Sequence, residues 1–248
     1  MTHYRITSLR LGELYLPHGA SVMRDPIHCW LVQGNGRNIL VDSGMAEIPM
    51  VTKRLKVNGC GGGHPALLSA LAAQGLEPGD ISHVVLTHLH FDHADNLDLF
   101  PDACIVIQRA ELMAAIDPVP SQRIYYWKST IANLMARKRP SELLLVDGDH
   151  DLFPGLHLLS VPSHTEGMQV VVVSTERAER RWFRTWVIII AIGFPLTPAR
   201  PITRSAPSQA PFSPAISAAR ASGIGRRRWP AFSPIPTSSC LHMIFAYL

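Results

Sequence analysis

Apolar and polar positions along residues 1–179 follow two periods, one typical of strands and one typical of helices. Residues 28–34 and 37–44 predict two strands joined at Asn35 and Gly36, a dipeptide that favours a two-residue hairpin turn. Further strands are predicted at 82–87, 103–108 and 168–175, a strand, turn and strand at 141–165, and helices at 64–76, 109–116 and 121–138. Strands separated by helices in this way predict an α/β layered domain.

This pattern ends near residue 180, where the composition also changes. Residues 1–179 contain all 19 acidic residues and 14 of the 23 Lys and Arg residues, a net charge of −5. Residues 180–248 contain nine Arg, no Lys, Asp or Glu, and nine of the 20 prolines. Folded soluble segments normally mix both signs of charge on their surface. We therefore predict that residues 180–248 are largely disordered or poorly packed.

The composition argues against a membrane protein and against a disulfide-stabilised one. The longest apolar run, residues 186–194, has nine residues, less than half of the roughly 20 that span a bilayer. The N-terminal segment lacks the basic and apolar regions of a secretory signal. The four cysteines show no C-x-x-C spacing. We expect a cytoplasmic protein with reduced thiols and no membrane partner.

Metal-competent side chains are concentrated directly after the predicted strand at 82–87. His88, His90, Asp92 and His93 lie within six residues. The spacing of His88 and His90 is the period of an extended chain, so both side chains can point the same way. Imidazole and carboxylate are ligands that zinc prefers among non-thiolate groups. A polar loop without a metal is the alternative, but this density of ligand-type residues favours a metal site.

Three segments resemble the metallo-β-lactamase superfamily of metal-dependent hydrolases. The stretch "HLHFDH" (88–93) matches its H-x-H-x-D-H motif, and "ILVDSG" (39–44) resembles its early strand that ends in an aspartate. The stretch "VPSHTEG" (161–167) is similar to its second metal motif. Within the superfamily, residues 80–112 and 148–173 are most similar to the N-acyl homoserine lactonase group.

The resemblance covers residues 8–175 and implies a fold as well as a site. The expected fold is an αβ/βα four-layer sandwich with the site at one sheet edge. Residues 1–179 would form the metallo-β-lactamase-like domain. The anomalous basic, Pro/Arg/Ser-rich region at 180–248 would leave the second half of the sandwich incomplete.

The resemblance also implies a role for each matching residue. The first zinc site would consist of His88, His90 and His164, and the second would be served by Asp92 and His93. Asp42 would orient a ligand histidine through a hydrogen bond, without binding the metal itself.

These roles imply a zinc-dependent hydrolase. A hydroxide held by the metal would attack a carbonyl, with an N-acyl homoserine lactone as the leading small-molecule substrate. Asp92 would be catalytic, because it can hold the water or pass its proton to the leaving group. Residues 125–127, Tyr-Tyr-Trp, would either pack in the core of the predicted helix or cover an apolar acyl chain as a lid.

The family pattern has two zinc ions per chain, but this sequence supports one of them well. No aspartate follows Asp151, so the bridging carboxylate expected after residues 168–173 is absent. His242 is the only histidine after His164, and its surroundings do not match the family's last histidine motif. Two alternatives therefore stay open. One is a hydrolase of the same fold acting on a thioester, β-lactam or phosphoester, and the other is a catalytically impaired remnant that binds one zinc.

The abrupt loss of acidic residues indicates that the region beyond residue 180 arises from a reading-frame shift relative to the family. GC-rich coding DNA read out of frame is enriched in Arg, Pro, Ser and Ala codons. Translating the other frames downstream of codon 180 should therefore yield a strand that carries an aspartate, followed by a late histidine motif. If neither frame does, the region is a genuine basic extension, suited to anionic surfaces or nucleic acid, which are otherwise not expected as partners.

Overall fold

The computed structural model describes residues 4–175 and the strand at 186–189. Eleven strands occur in this part of the chain: β1 (Arg5–His18), β2 (Ser21–Gly34), β3 (Arg37–Val41), β4 (Asn58–Gly61), β5 (His83–Val85), β6 (Cys104–Gln108), β7 (Leu143–Val146), β8 (His150–Phe153), β9 (Leu156–Ser160), β10 (Gln169–Ser174) and β11 (Trp186–Ile189). The α-helices described are α1 (Ile48–Leu55), α2 (Gly63–Ala72), α3 (Arg109–Ile116) and α4 (Lys128–Ala136).

The strands form two sheets. The larger sheet has seven strands in the order β4-β1-β2-β3-β5-β6-β7. Strand β3 pairs with β2 in antiparallel fashion and with β5 in parallel fashion, and β5, β6 and β7 continue in parallel. The smaller sheet is antiparallel and has the order β11-β10-β9-β8. The predicted α/β class is confirmed, since helices alternate with the parallel strands.

Alternate residues of the larger sheet fill two apolar layers. Trp30, Val32 and Val41 point towards the smaller sheet, where Leu158 and Val171 belong to the same buried cluster. The opposite face of the larger sheet is covered by apolar residues of α2, α3 and α4, among them Leu67, Leu71, Leu112, Ala115 and Leu134. Helices, large sheet and small sheet are therefore three successive layers. The sequence also predicted a fourth layer and an incomplete second half of the sandwich. Both predictions concern residues that lie outside the described part of the chain.

The hairpin between β2 and β3 confirms the turn predicted from sequence. Asn35 and Gly36 have φ angles of 54° and 70°. Positive φ at both central positions is the geometry that the twist of a two-residue hairpin requires.

The helix predicted at 121–138 is wrong in its first half, since α4 begins at Lys128 and residues 121–125 form turns. Tyr126 instead forms a β-bridge with His90, and the Phe91 amide donates to the Tyr125 carbonyl over 3.0 Å. These contacts with residues 88–93, the histidine-rich loop, outweigh the local helical preference, which contributes little by itself.

Within the described residues, no helix combines the length and apolar character needed to cross a membrane. The predicted domain boundary near residue 180 stays a prediction, because residues 176–185 and 190–248 lie outside the described residues.

Trp127 links α4 to the histidine-rich loop. Its side chain is completely buried, and its ring stacks on Phe91 with centroids 5.4 Å apart. The Arg54 guanidinium lies 4.6 Å from the centre of the indole. The indole Nε1 is buried and has no hydrogen-bond partner among the residues described. Trp127 therefore stabilises the fold by filling space in the core and by stacking on Phe91, and not through a hydrogen bond of its indole nitrogen to a described residue.

Replacing Trp127 by alanine should lower the free energy of unfolding by about 3–5 kcal/mol, because a large cavity opens beneath the histidine-rich loop. Trp127→Phe, the matched control, should cost less than about half as much, since the aromatic stack remains and no hydrogen bond is lost. Urea unfolding followed by circular dichroism measures both values. Equal losses in the two variants would contradict the assigned role.

Candidate metal centre

The histidine-rich loop leaves the carboxyl end of β5, at the edge where the parallel strands end. Its four metal-competent side chains, His88, His90, Asp92 and His93, are all buried. Clefts beyond the carboxyl ends of parallel strands are common ligand sites in α/β sheets. The fifth predicted ligand, His164, is half-buried and lies in the loop between β9 and β10 of the smaller sheet.

Three of the five predicted ligands form one cluster. A ligand nitrogen from each of His88, His90 and His164 lies within 4.8 Å of the other two. The closest pair is His164 Nε2 and His90 Nδ1, which are 2.9 Å apart. A tetrahedral ion bound at 2.0–2.1 Å separates its nitrogen ligands by about 3.3 Å. The three nitrogens are therefore close enough to be brought onto one metal ion.

The second nitrogen of two of these rings is already occupied, which defines the nitrogen that faces the cluster. His88 Nδ1 lies 3.2 Å from Thr87 Oγ1, and His90 Nε2 lies 3.3 Å from Gln122 Oε1. An imidazole that donates from one nitrogen presents a lone pair on the other. The nitrogens available to an ion are thus His88 Nε2 and His90 Nδ1, together with His164 Nε2.

Two buried polar atoms of the loop lack a hydrogen-bond partner in the described part of the chain. These atoms are His88 Nε2 and Asp92 Oδ1. Buried polar atoms are nearly always paired, because an unpaired one costs about 1–3 kcal/mol. A cation beside both atoms would satisfy them, so the residues present fit a metal ion.

The cluster consists of imidazoles that stay neutral at pH 7. Burial lowers the pKa of His88 well below its usual range and lowers the pKa of His90 to about 4. Burial also lowers the pKa of His164. Neutral imidazole is the form that binds a metal, so no proton has to be displaced before an ion can enter.

His93 differs from the other three histidines because it lies between two carboxylates. Its Nδ1 is 2.9 Å from Asp42 Oδ2, and its Nε2 is 3.3 Å from Asp92 Oδ2. Burial opposes charge on His93, but Asp92 and Asp42 outweigh it and raise its pKa to about 10. Burial likewise acts to raise the pKa of Asp92, yet the adjacent His93 leaves that pKa lowered overall. Asp92 and His93 therefore form an ion pair beside the three-histidine cluster and are not part of it.

Asp42 is held rigidly at the end of β3. Its carboxylate accepts hydrogen bonds from the Thr87 amide at 2.7 Å and from the Thr87 hydroxyl at 2.9 Å, besides its contact with His93. Its φ angle of 61° lies in the left-handed region, which is strained for a residue other than glycine. Asp42 thus has the contact with a histidine that its predicted orienting role requires.

The sequence interpretation missed two acidic residues near the loop. Glu111 is completely buried in α3, and its signals were a carboxylate among the apolar positions of that helix and its place in the segment 80–112 that resembles the lactonase group. Asp25, on the face of β2 that also carries Ile27, has its pKa raised to about 6 by burial and by the charge of Asp92. The strand pattern contains no signal for Asp25.

A cavity of about 310 Å³ opens beside the cluster. Its wall includes His164, Gln122 and Tyr126, the apolar residues Ala114, Val119 and Pro162, and the carboxylates Asp117 and Glu166. The three consecutive aromatic residues at 125–127 have different surroundings. Trp127 is buried in the core, and the Tyr126 hydroxyl donates a hydrogen bond to Glu111. The Tyr125 ring lies 5.2 Å from the His90 ring, measured between centroids. The core alternative therefore holds for Trp127, while Tyr125 and Tyr126 lie beside the metal cluster.

Comparison with known proteins agrees with this geometry. The chain is 32% identical over 204 residues to an N-acyl homoserine lactonase of Bacillus thuringiensis, covering 72% of this chain and 73% of that protein. It is 30% identical over 161 residues to an N-acyl homoserine lactonase of Bacillus cereus, of whose length the match spans 60%.

A solved structure of an N-acyl homoserine lactone hydrolase, with the product N-hexanoyl-L-homoserine bound at its catalytic metal centre, superposes with a TM-score of 0.59. The identity is 26%, and the match covers 71% of this chain and 73% of that one. The family model of the metallo-β-lactamase superfamily matches residues 22–181. The resemblance inferred from sequence is confirmed, and this chain belongs to the metallo-β-lactamase superfamily.

Proposed function

We propose that this chain is a zinc-dependent hydrolase that opens the lactone ring of an N-acyl homoserine lactone. The observation that carries the proposal is the cluster of three neutral imidazoles, in which the buried His88 Nε2 lacks a partner among the described residues. The similarity to N-acyl homoserine lactonases supports the substrate class. Opening the ring would inactivate N-acyl homoserine lactones as signals, an activity called quorum quenching.

The proposed metal ligands are His88, His90 and His164. Asp92 and His93 would serve a second, weaker position, since the charged His93 ring must lose its proton before it can bind an ion. Three histidines and an open fourth position are the ligand set of a catalytic zinc site. Zinc, when bound there, supplies Lewis-acid polarisation of a carbonyl and lowers the pKa of water to about 7. The weaker position rests on two protein ligands, so we propose one tightly held zinc per chain.

Asp92 is the proposed catalytic residue. It is ionised at neutral pH, because His93 lowers its pKa despite burial, and can therefore accept a proton. Its Oδ2 faces His93, while the buried Oδ1 has no partner within the described chain and can bind the attacking water. After attack, the same carboxyl can donate the proton to the alkoxide that leaves when the ring opens.

Asp42 and His93 help to orient the catalytic Asp92. The Asp42 carboxylate is fixed by two bonds from Thr87, and it accepts a hydrogen bond from His93 Nδ1. This contact fixes the His93 ring so that Nε2 faces Asp92 and the cluster. We propose that Asp42 acts in this way and not as a ligand.

The cavity beside His164 is suited to a small molecule. Its volume of about 310 Å³ lies at the lower end of the range for ligand pockets. Apolar residues such as Val119 and Pro162 can contact an acyl chain, and Gln122 offers an amide for polar groups of the substrate. We propose this cavity as the substrate entrance.

The metal affinity should respond only weakly to acid. At pH 7.5 we expect about one equivalent of Co²⁺ or Zn²⁺ to bind tightly, and at pH 5.5 the affinity should fall by less than about tenfold. Three ordinary imidazoles would be about nine-tenths protonated at pH 5.5 and would lose about 1000-fold. The three cluster histidines avoid this loss because a lowered pKa keeps each ring neutral until the pH falls through that lower value.

Titration in competition with a chelator at the two pH values measures this effect. The control His164→Ala removes one ligand and should abolish tight binding at both pH values. A 1000-fold loss at pH 5.5, or two equivalents retained after dialysis, would contradict the proposed cluster.

The zinc-loaded chain should hydrolyse N-hexanoyl homoserine lactone and leave a chromogenic β-lactam intact. Asp92→Asn should reduce kcat by about 10²- to 10⁴-fold while the zinc content is unchanged, because the proton acceptor is lost and the three histidines remain. The matched control is Asp102→Asn, the same carboxylate-to-amide change at an exposed position, which should leave kcat unchanged.

Hydrolysis of the lactone and of the β-lactam is measured as proton release in a weak buffer. Hydrolysis of a β-lactam, thioester or phosphoester, with the lactone untouched, would assign the site to another reaction of the fold. If none of these substrates is hydrolysed, the chain is a remnant that binds metal without catalysing a reaction.

A further inference from the structure

Glu111 is a buried carboxylate that the proposed chemistry does not use. It lies in the first turn of α3 and its side chain has no exposed surface. Its Oε1 accepts a hydrogen bond from the Leu89 amide at 2.9 Å, and its Oε2 accepts one from the Gly167 amide at 3.1 Å. Leu89 lies between His88 and His90, and Gly167 follows His164 by three residues. One carboxylate therefore joins the two loops that carry the cluster.

These loops belong to different sheets, so their separation depends on contacts made between them. The packing of the sheets and a bond from the Gln169 amide to the Thr87 carbonyl (2.9 Å) bring them together, and Glu111 contacts the two segments beside the histidines themselves. The histidine-rich loop follows β5 of the larger sheet, and the His164 loop follows β9 of the smaller one. Cluster geometry depends on their spacing to within tenths of an ångström, since metal–nitrogen distances vary by about 0.2 Å in good sites.

The glycine at 167 shows how closely the second loop approaches α3. A Cβ at this position would lie 2.0 Å from the Glu111 backbone nitrogen and 2.4 Å from its Cα. No side chain other than hydrogen fits there. The hydrogen bond from the Gly167 amide to Glu111 Oε2 thus depends on this absence of a side chain.

A second set of contacts runs from Glu111 to the same two histidines. The Tyr126 hydroxyl donates to Glu111 Oε1 at 3.2 Å and lies 3.4 Å from Gln122 Oε1. Gln122 in turn donates to the His164 carbonyl at 2.7 Å and is 3.3 Å from His90 Nε2. Through Tyr126 and Gln122, Glu111 is therefore connected to the ring of His90 and to the backbone of His164.

We propose that Glu111 is a positioning residue that sets the separation of His90 and His164, and through it the metal affinity of the cluster. This inference rests on the metal centre of the proposed function but not on the lactone. A buried carboxylate is costly unless its oxygens are paired, and here each oxygen is bonded to a different loop. An amide side chain cannot accept from both loops, since its nitrogen would face a backbone N–H.

The test compares Glu111→Gln with Asp102→Asn, the same carboxylate-to-amide change at an exposed position. We expect Glu111→Gln to weaken Co²⁺ and Zn²⁺ binding by about 10- to 100-fold and to shift the visible absorption of the bound Co²⁺. Asp102→Asn should match the unaltered chain in both. Thermal unfolding of the metal-free proteins, measured in parallel, separates a loss of metal geometry from a loss of fold.

Unchanged Co²⁺ affinity and spectrum in folded Glu111→Gln would overturn the proposal and make Glu111 a structural residue only. If Glu111→Gln does not fold, Tyr126→Phe replaces it, because this change removes only the hydroxyl that donates to Glu111. We then expect a several-fold loss of affinity, and no loss would overturn the proposal.

The outcome is distinguishable from failure of the proposed function. If the chain binds Co²⁺ in a Glu111-dependent manner but hydrolyses no lactone, the role of Glu111 stands and the proposed substrate class is contradicted. An unaltered chain that binds no Co²⁺ overturns both.

Discussion

Packing of the small antiparallel sheet against the large mixed sheet is the contact on which the site depends. Apolar residues of both sheets, such as Val32 and Val41 from one and Leu158 and Val171 from the other, form a single buried cluster. This layer aligns the end of β5 with the end of β9, so that His164 reaches two histidines more than 70 positions earlier in the chain. The hydrophobic effect thus supplies the free energy that assembles a polar site.

The polar groups at this edge are arranged so that burial changes their chemistry. Burial makes the three cluster histidines weak bases, while His93, which is also buried, is kept charged by two carboxylates. Side chains a few ångströms apart are thereby separated into neutral imidazoles and an ion pair. Glu111, Asp42 and Gln122 add the hydrogen bonds that keep those side chains in place. Groups outside the cluster are therefore hydrogen-bonded to the segments that carry its histidines.

Local signals in the sequence were sufficient where a short segment decides its own structure. The Asn35-Gly36 turn was predictable because only residues tolerant of positive φ fit it. The helix Arg109–Ile116 agrees with its predicted bounds. The helix predicted from residue 121 fails because Tyr126 pairs with His90, a contact made far away in the chain. Glu111 was missed for the same reason, since its partners come from two distant loops.

The sequence by itself determined the ligand types, the superfamily and the α/β class, because "HLHFDH" and the strand-helix alternation are local patterns. The resemblance predicted that His88, His90 and His164 share a site, and the tertiary structure brings them together, since that requires the packing of two sheets. The tertiary structure also decided that His93 pairs with Asp42 and Asp92 and does not join the other three. Burial and distance set these pKa values and contacts, and neither quantity is a property of a linear pattern.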